Sequence, residues 1–174
     1  MKRLIFAIPG DLATATGGYI YDRRIIEELR LQGWQVQVLG LGDGFPYPSR
    51  ATHQQACERL LALEPGVPIV VDGLAFGVLP VVAAALHQRH PVVALVHHPL
   101  AFETGLSVEQ SAIFKDTEWR ALKDVTRVCV TSPATAQTVI EHFKVPGSRL
   151  DSVLPGTDRV VRKVGMLKQG PVQL

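Results

Sequence analysis

Cysteine is scarce in this chain: two residues in 174, Cys57 and Cys129, far apart and each in apolar surroundings. That pair matches no metal-ligand spacing and supplies no disulfide framework, which points to a reducing compartment and to small buried side chains. An excess of one charge is also missing. Eighteen Lys and Arg against sixteen Asp and Glu leave a formal net charge of +2, so the polybasic footprint of a nucleic-acid binder is absent. No apolar run reaches membrane-spanning length, and the five apolar residues after Met1-Lys2-Arg3 are too few for a signal peptide. The expectation is a cytoplasmic, soluble domain with one core. No G-x-x-x-x-G-K-[ST] occurs, which excludes a P-loop, and neither repeats of solenoid length nor low-complexity tracts are present.

What is present is an alternation of short apolar runs and amphipathic segments. Leu4 to Ile8 reads as a strand, followed by a loop ending in Gly17-Gly18 and a helix on which Tyr21, Ile25, Ile26 and Leu29 form the buried stripe. Asp22, Arg23, Arg24, Glu27 and Glu28 are assigned to its exposed side, with Arg23–Glu27 and Arg24–Glu28 as pairs. Gly33 is the expected left-handed cap before a second strand, Val36 to Leu41. Ser49 opens a helix burying Ala56, Cys57, Leu60 and Leu61, and Ile69-Val70-Val71 is a strand apolar on both faces. Pro80 starts a helix reaching Arg89, and VVALV is the fourth strand. Ser107 to Gln110 fits a capping box for a helix to about Asp124, and Val128 to Val130 is the fifth strand. Ser132-Pro133 opens a helix burying Ala136, Val139, Ile140 and Phe143, and Leu150 to Leu154 is the sixth strand.

Six such strands predict an α/β, three-layer Rossmann-like domain with a parallel sheet in the order 3-2-1-4-5-6. Ligands of such sheets bind beyond the strands' carboxyl ends at the switch point, here expected between the first and fourth strands. Gly17-Gly18 and His97-His98 would meet there. Bare glycine N–H groups at a helix start suit a phosphate or a sugar hydroxyl, although paired glycines also make ordinary tight turns. The loop PGDLATATGG lacks G-x-G-x-x-G, which argues against a dinucleotide site despite Asp43 after the second strand.

The TGGY loop, the GWQVQVL strand, VVALVHHP, VTSPATAQTVIEHFKVPGSRL and the closing VLPGTD, in this order and spacing, resemble the N-terminal, acceptor-side half of a GT-B glycosyltransferase of the retaining group 1, or family 4. The resemblance implies a Rossmann-like domain over residues 1–158, with 159–174 a linker and the truncated start of a missing C-terminal domain. It implies transfer from a nucleotide-diphosphate sugar to a carbohydrate or lipid-linked acceptor, with no metal and no other cofactor. Alone, such a half is expected to be inactive; the alternative is a stand-alone sugar- or nucleotide-binding module or one subunit of a two-chain transferase.

Carried over by position, the resemblance makes His97 the catalytic residue, contacting the donor sugar, and Gly17 and Gly18 the donor or acceptor contacts. His98 stays a second candidate, the bland reading of the pair being an ordinary strand-end loop. A neutral imidazole would suit a sugar hydroxyl. Tyr19, Glu103 and Asp72 are candidates for an acceptor pocket, weighed against being solvated loop residues. Arg23, Arg24, Arg120 and Lys123 would give a mildly basic face for peripheral membrane contact, or simply a solvated surface. An uncovered cleft makes a homodimer plausible.

Overall fold

A computed structural model describes residues 2–157. Residue 1 and residues 158–174, with the expected linker at 159–174, lie outside the described residues. Strands β1 (Arg3–Ile8), β2 (Gln35–Gly40), β3 (Ile69–Asp72), β4 (Val92–Val96), β5 (Arg127–Val130) and β6 (Leu150–Ser152) form one sheet in which every neighbouring pair is parallel. The connections carry α1 (Gly17–Leu31), α2 (Arg50–Leu61), a short α3 (Gly73–Phe76), α4 (Pro80–His87), α5 (Val108–Leu122) and α6 (Pro133–Phe143).

The helix starts follow from local chemistry. Thr16, Ser49, Ser107 and Ser132 each accept a hydrogen bond from the backbone N–H three residues on, satisfying a donor that the first turn would otherwise leave orphaned. Ser107 and Gln110 complete a reciprocal capping box. Gly33, with φ of +83°, turns the chain from α1 into β2.

Alternate residues of each strand go to opposite faces. On one face Leu4, Phe6 and Ile8 meet Tyr21 and Ile26 of α1. On the other, Ile5, Ala7, Ile69, Val71, Ala94, Val96 and Val128 meet α2, α4, α5 and α6 through Leu60, Leu86, Phe114, Val139 and Phe143. Fully burying each such side chain contributes about 1.5–3 kcal/mol, so the larger layer holds most of the core.

The strand order is β2-β1-β3-β4-β5-β6, not 3-2-1-4-5-6. The reason is polarity: β2 presents exposed Gln35 and Gln37 and tolerates the sheet edge, whereas Ile69 and Val71 of β3 are fully buried and need neighbours on both sides. The switch point accordingly lies between β1 and β3. Smaller corrections share one cause, which is where each helix face meets its neighbours. Leu61 and Ile140, expected inside, are 38% and 39% exposed. The sixth strand stops at Ser152, leaving Leu154 exposed, and both cysteines are only half-buried. Arg23 donates to the Leu12 carbonyl rather than spanning to Glu27, and Arg24 lies 3.5 Å from Glu27. The proposed basic face is not one surface, because α1 and α5 cover opposite sides of the sheet. Arg120 and Lys123 pair with Asp116 and Asp124. No helix among the described residues is long and apolar enough to cross a membrane.

Candidate functional site

The parallel sheet delivers its strand ends to one side, and three of them meet. Thr16 caps α1 just beyond the β1 loop, so Gly17 and Gly18 occupy the first helical positions, where N–H groups have no intrahelical acceptor. Neither glycine has a positive φ, and at Gly17 a Cβ would meet open space. At Gly18 a Cβ would lie 3.5 Å from His97 Cδ2, so this glycine is packed against the imidazole. The turn itself depends on Gly10, with φ of +59°, where a Cβ would come within 2.7 Å of the Tyr19 hydroxyl. Tyr19 therefore belongs to the first turn of α1 and lies across the β1 loop, and burial together with Asp72, Asp22, Asp43 and Asp11 raises its phenol pKa.

His97 follows β4 immediately. Its Nε2 lies 3.0 Å from Asp22 Oδ1 and 3.6 Å from Asp72 Oδ2, and Tyr21 stands edge-on with ring centroids 5.3 Å apart. Asp22 was expected on the exposed side of α1. Instead it is fully buried, because the crevice floor carries the imidazole that answers it. Its spacing shows why: Asp22, Ile26 and Leu29 recur at i, i+4 and i+7, on the buried stripe. Asp72, weighed as a solvated residue, is 3% exposed; its Oδ1 accepts from Leu74 N at 2.7 Å and caps α3.

The electrostatics follow from this arrangement. Burial alone would lower the His97 pKa, but hydrogen bonds to Asp22 and Asp72 outweigh it and raise it to about 9. Burial pushes the Asp22 carboxyl up to about 6, against the pull of the imidazole. At neutral pH the ring is thus an imidazolium between two carboxylates, not the neutral imidazole expected from sequence. Asp22 Oδ2 makes no hydrogen bond among the described residues, and neither does His97 Nδ1. The donor atoms of Asp22, Asp72 and His97 lie within 4.8 Å of one another, a spacing that a divalent cation could also bridge.

Beside this cluster is a cavity of about 150 Å³, lined by Gly18, Tyr19, His97, His98 and Glu103 with Thr16, Asp72, Leu74 and Leu100. Of the expected site residues only Gly17 is outside the lining. None of the lining residues is Lys or Arg, so positive charge here comes from His97 and the α1 N-terminus. His98 is exposed, and its Nε2 lies 3.2 Å from the Phe102 carbonyl, which accepts the hydrogen bond. A second buried acid, Glu118 of α5, accepts from Leu100 N at 2.7 Å and Ala101 N at 2.9 Å. It too was missed, and it too sits in an apolar stripe, with Phe114, Ala121 and Leu122.

A family model, Glycosyltransferase Family 4, matches residues 17–160. The chain belongs to that family. The match begins at Gly17, covers every expected site residue, and includes both Asp22 and Asp72. No curated protein matches the chain at a significant level. For a glycosyltransferase family 4 domain, the parallel sheet with its strand-end crevice is the expected N-terminal architecture, and the TGGY loop and HHP turn both line that crevice.

Proposed function

We propose that this domain is the sugar-facing half of a retaining glycosyltransferase that uses a nucleotide-diphosphate sugar, with His97 as the residue that touches the sugar. The observation that carries the reading is the His97 imidazole held between two buried carboxylates at a cavity wall, an arrangement that favours its charged form and leaves Nδ1 to donate. A charged ring cannot accept a proton, so His97 is not a general base at neutral pH. It donates a charge-assisted hydrogen bond to a sugar hydroxyl, orienting the ring while the bond from the anomeric carbon to the diphosphate breaks and that to the acceptor oxygen forms. The acceptor's proton leaves with the departing phosphate. Gly17 and Gly18 offer free N–H groups to the donor or acceptor, and Tyr19, His98 and Glu103 line the wall an acceptor would touch. The α1 N-terminus, with its free N–H groups, is the part of the cavity wall that favours the diphosphate charge. On this reading the chain alone binds sugars without turnover.

The test is transfer from a panel of nucleotide-diphosphate sugars by the whole protein and by this chain, each as wild type and His97→Ala. Removing one positioned donor should lower turnover roughly a hundredfold. Unchanged turnover in His97→Ala would remove His97 from the site. Sugar binding with no turnover by the whole protein would favour a binding module instead.

A further inference from the structure

Glu118 is a buried acid that the proposed chemistry does not use. It is 3% exposed, it stands on α5 beneath the turn that follows His97-His98-Pro99, and its two carboxylate oxygens accept separately from Leu100 N and Ala101 N. Those N–H groups open a 3-10 turn, Leu100–Phe102, that has no side-chain cap from its own preceding residue, Pro99. Glu118 therefore acts as a cap supplied from another helix. Ser111, also on α5, donates to the Ala101 carbonyl at 2.7 Å, so α5 holds both the N–H and the C=O of that residue. Space is tight around the clamp: a Cβ on Gly77 would lie 2.9 Å from Glu118 Cγ and 2.9 Å from Leu100 Cδ1.

We infer that Glu118 is a positioning residue for the candidate site, fixing through two backbone amides the segment that supplies His98, Leu100 and Glu103 to the cavity wall. Burying a carboxylate in an apolar stripe is costly, and α5 could carry an apolar residue there if packing were the whole requirement. What the acid adds is direction: two charged hydrogen bonds that hold the turn in one register against α5. His98 is tied to the same segment through the Phe102 carbonyl, so its ring moves with the turn. The inference rests on the reading of this cavity as the sugar site, but the clamp can be observed without it.

The clamp also titrates. Burial raises the Glu118 carboxyl to about 7, the two backbone hydrogen bonds pull it back, and Glu103 adds repulsion from the cavity side; Gly77, just past α3, and Leu100 of the turn present backbone and apolar atoms to it. Ionised, Glu118 accepts from both amides; protonated, one oxygen becomes a donor and the turn loses half its cap.

The experiment is an NMR pH titration of the labelled chain from pH 5.5 to 8.5, following the Leu100 and Ala101 amides and the His98 ring, in wild type and in Glu118→Gln. In wild type both amides should shift with one common midpoint near 7. The Glu103 amide should shift at that same midpoint. In Glu118→Gln that midpoint should vanish, and exchange of the Leu100 and Ala101 amides should quicken about tenfold or more. Glu118→Asp should keep a titration while weakening protection. Leu100 and Ala101 amides that exchange as fast as unstructured ones in wild type would overturn the inference, and this arm needs no variant to fold. Loss of the amide titration in Glu118→Gln with His98 and Glu103 unmoved would also overturn it, leaving only a structural clamp. Absence of transferase activity in the whole protein would count against the proposed function and leave this measurement unaffected.

Discussion

Helices α1 and α5 lie on opposite faces of the sheet, and each buries one carboxylate inside an apolar stripe, yet the two charges are answered differently. Asp22 meets a side chain that can carry a positive charge, His97, with Asp72 on the far side of the ring. Glu118 meets two backbone N–H groups. An ion pair in a buried site is strong only while both partners are ionised, whereas an amide cap persists with one partner titrating. The difference assigns the two acids different tasks: Asp22 sets the charge of a group at the cavity, and Glu118 sets the position of a loop beside it.

The comparison can be broken most directly at Asp22. Asp22→Ala leaves the imidazolium with Asp72 as its sole acid partner and should cost about 3 kcal/mol of stability, read by urea unfolding at pH 7. Glu118→Ala orphans two buried amides and should cost about 2 kcal/mol in the same assay. A reversed order would mean that the amide cap, not the ion pair, is the stronger anchor.

Dependence on pH sharpens the contrast. The folded His97 pKa of about 9 lies above its ordinary 6.5, so the native state holds the proton more tightly than the unfolded chain. Stability from His97 is full below pH 6.5 and is lost as pH rises towards 9, an effect on the order of 2 kcal/mol. Asp22→Asn should flatten the stability curve in that window. Glu118, raised from 4.5 to about 7, contributes in the same direction but lower: its part is full below pH 4.5 and is lost as pH climbs through 7. Glu118→Gln should flatten the curve only between those values. Thermal melts across pH 4 to 9 separate the two windows; because the Asp22 carboxyl, raised to about 6, itself titrates in the lower one, Asp22→Asn should flatten part of that window too, and only flattening above pH 7 in Glu118→Gln would show that the acids are coupled. The smallest effect is expected at Gly18→Ala, where the added Cβ makes an ordinary contact with His97. Stability should change by less than about 0.5 kcal/mol while sugar binding weakens, and a large stability loss would show instead that the glycine is there for packing.

Much of the fold was legible because it is written locally. Apolar runs three to six residues long, Ser and Thr caps, Pro80 and Pro133 at helix starts and Gly33 past a helix end each act within a few residues, so strands and helices could be placed from the chain alone. Strand order was not, although the glutamines of β2 and the unbroken apolar run of β3 carried the signal for which strand lies at the edge. In the site, the loops that bear Gly18 and His97 could be read because strand ends converge in any parallel sheet. Asp22 and Glu118 could not, since charge suggested exposure and the stripe they interrupt was read for its apolar members.

The amino-acid sequence by itself determined the elements, the parallel sheet and the side of it on which ligands would gather, because these depend on periodicity and on the handedness of short connections. Only the tertiary structure decided that His97 is charged, that Asp22 and Asp72 charge it, and that Glu118 holds the next turn. Each of these depends on how far apart two groups lie across the fold and how little water reaches them, and neither quantity is encoded at any single position.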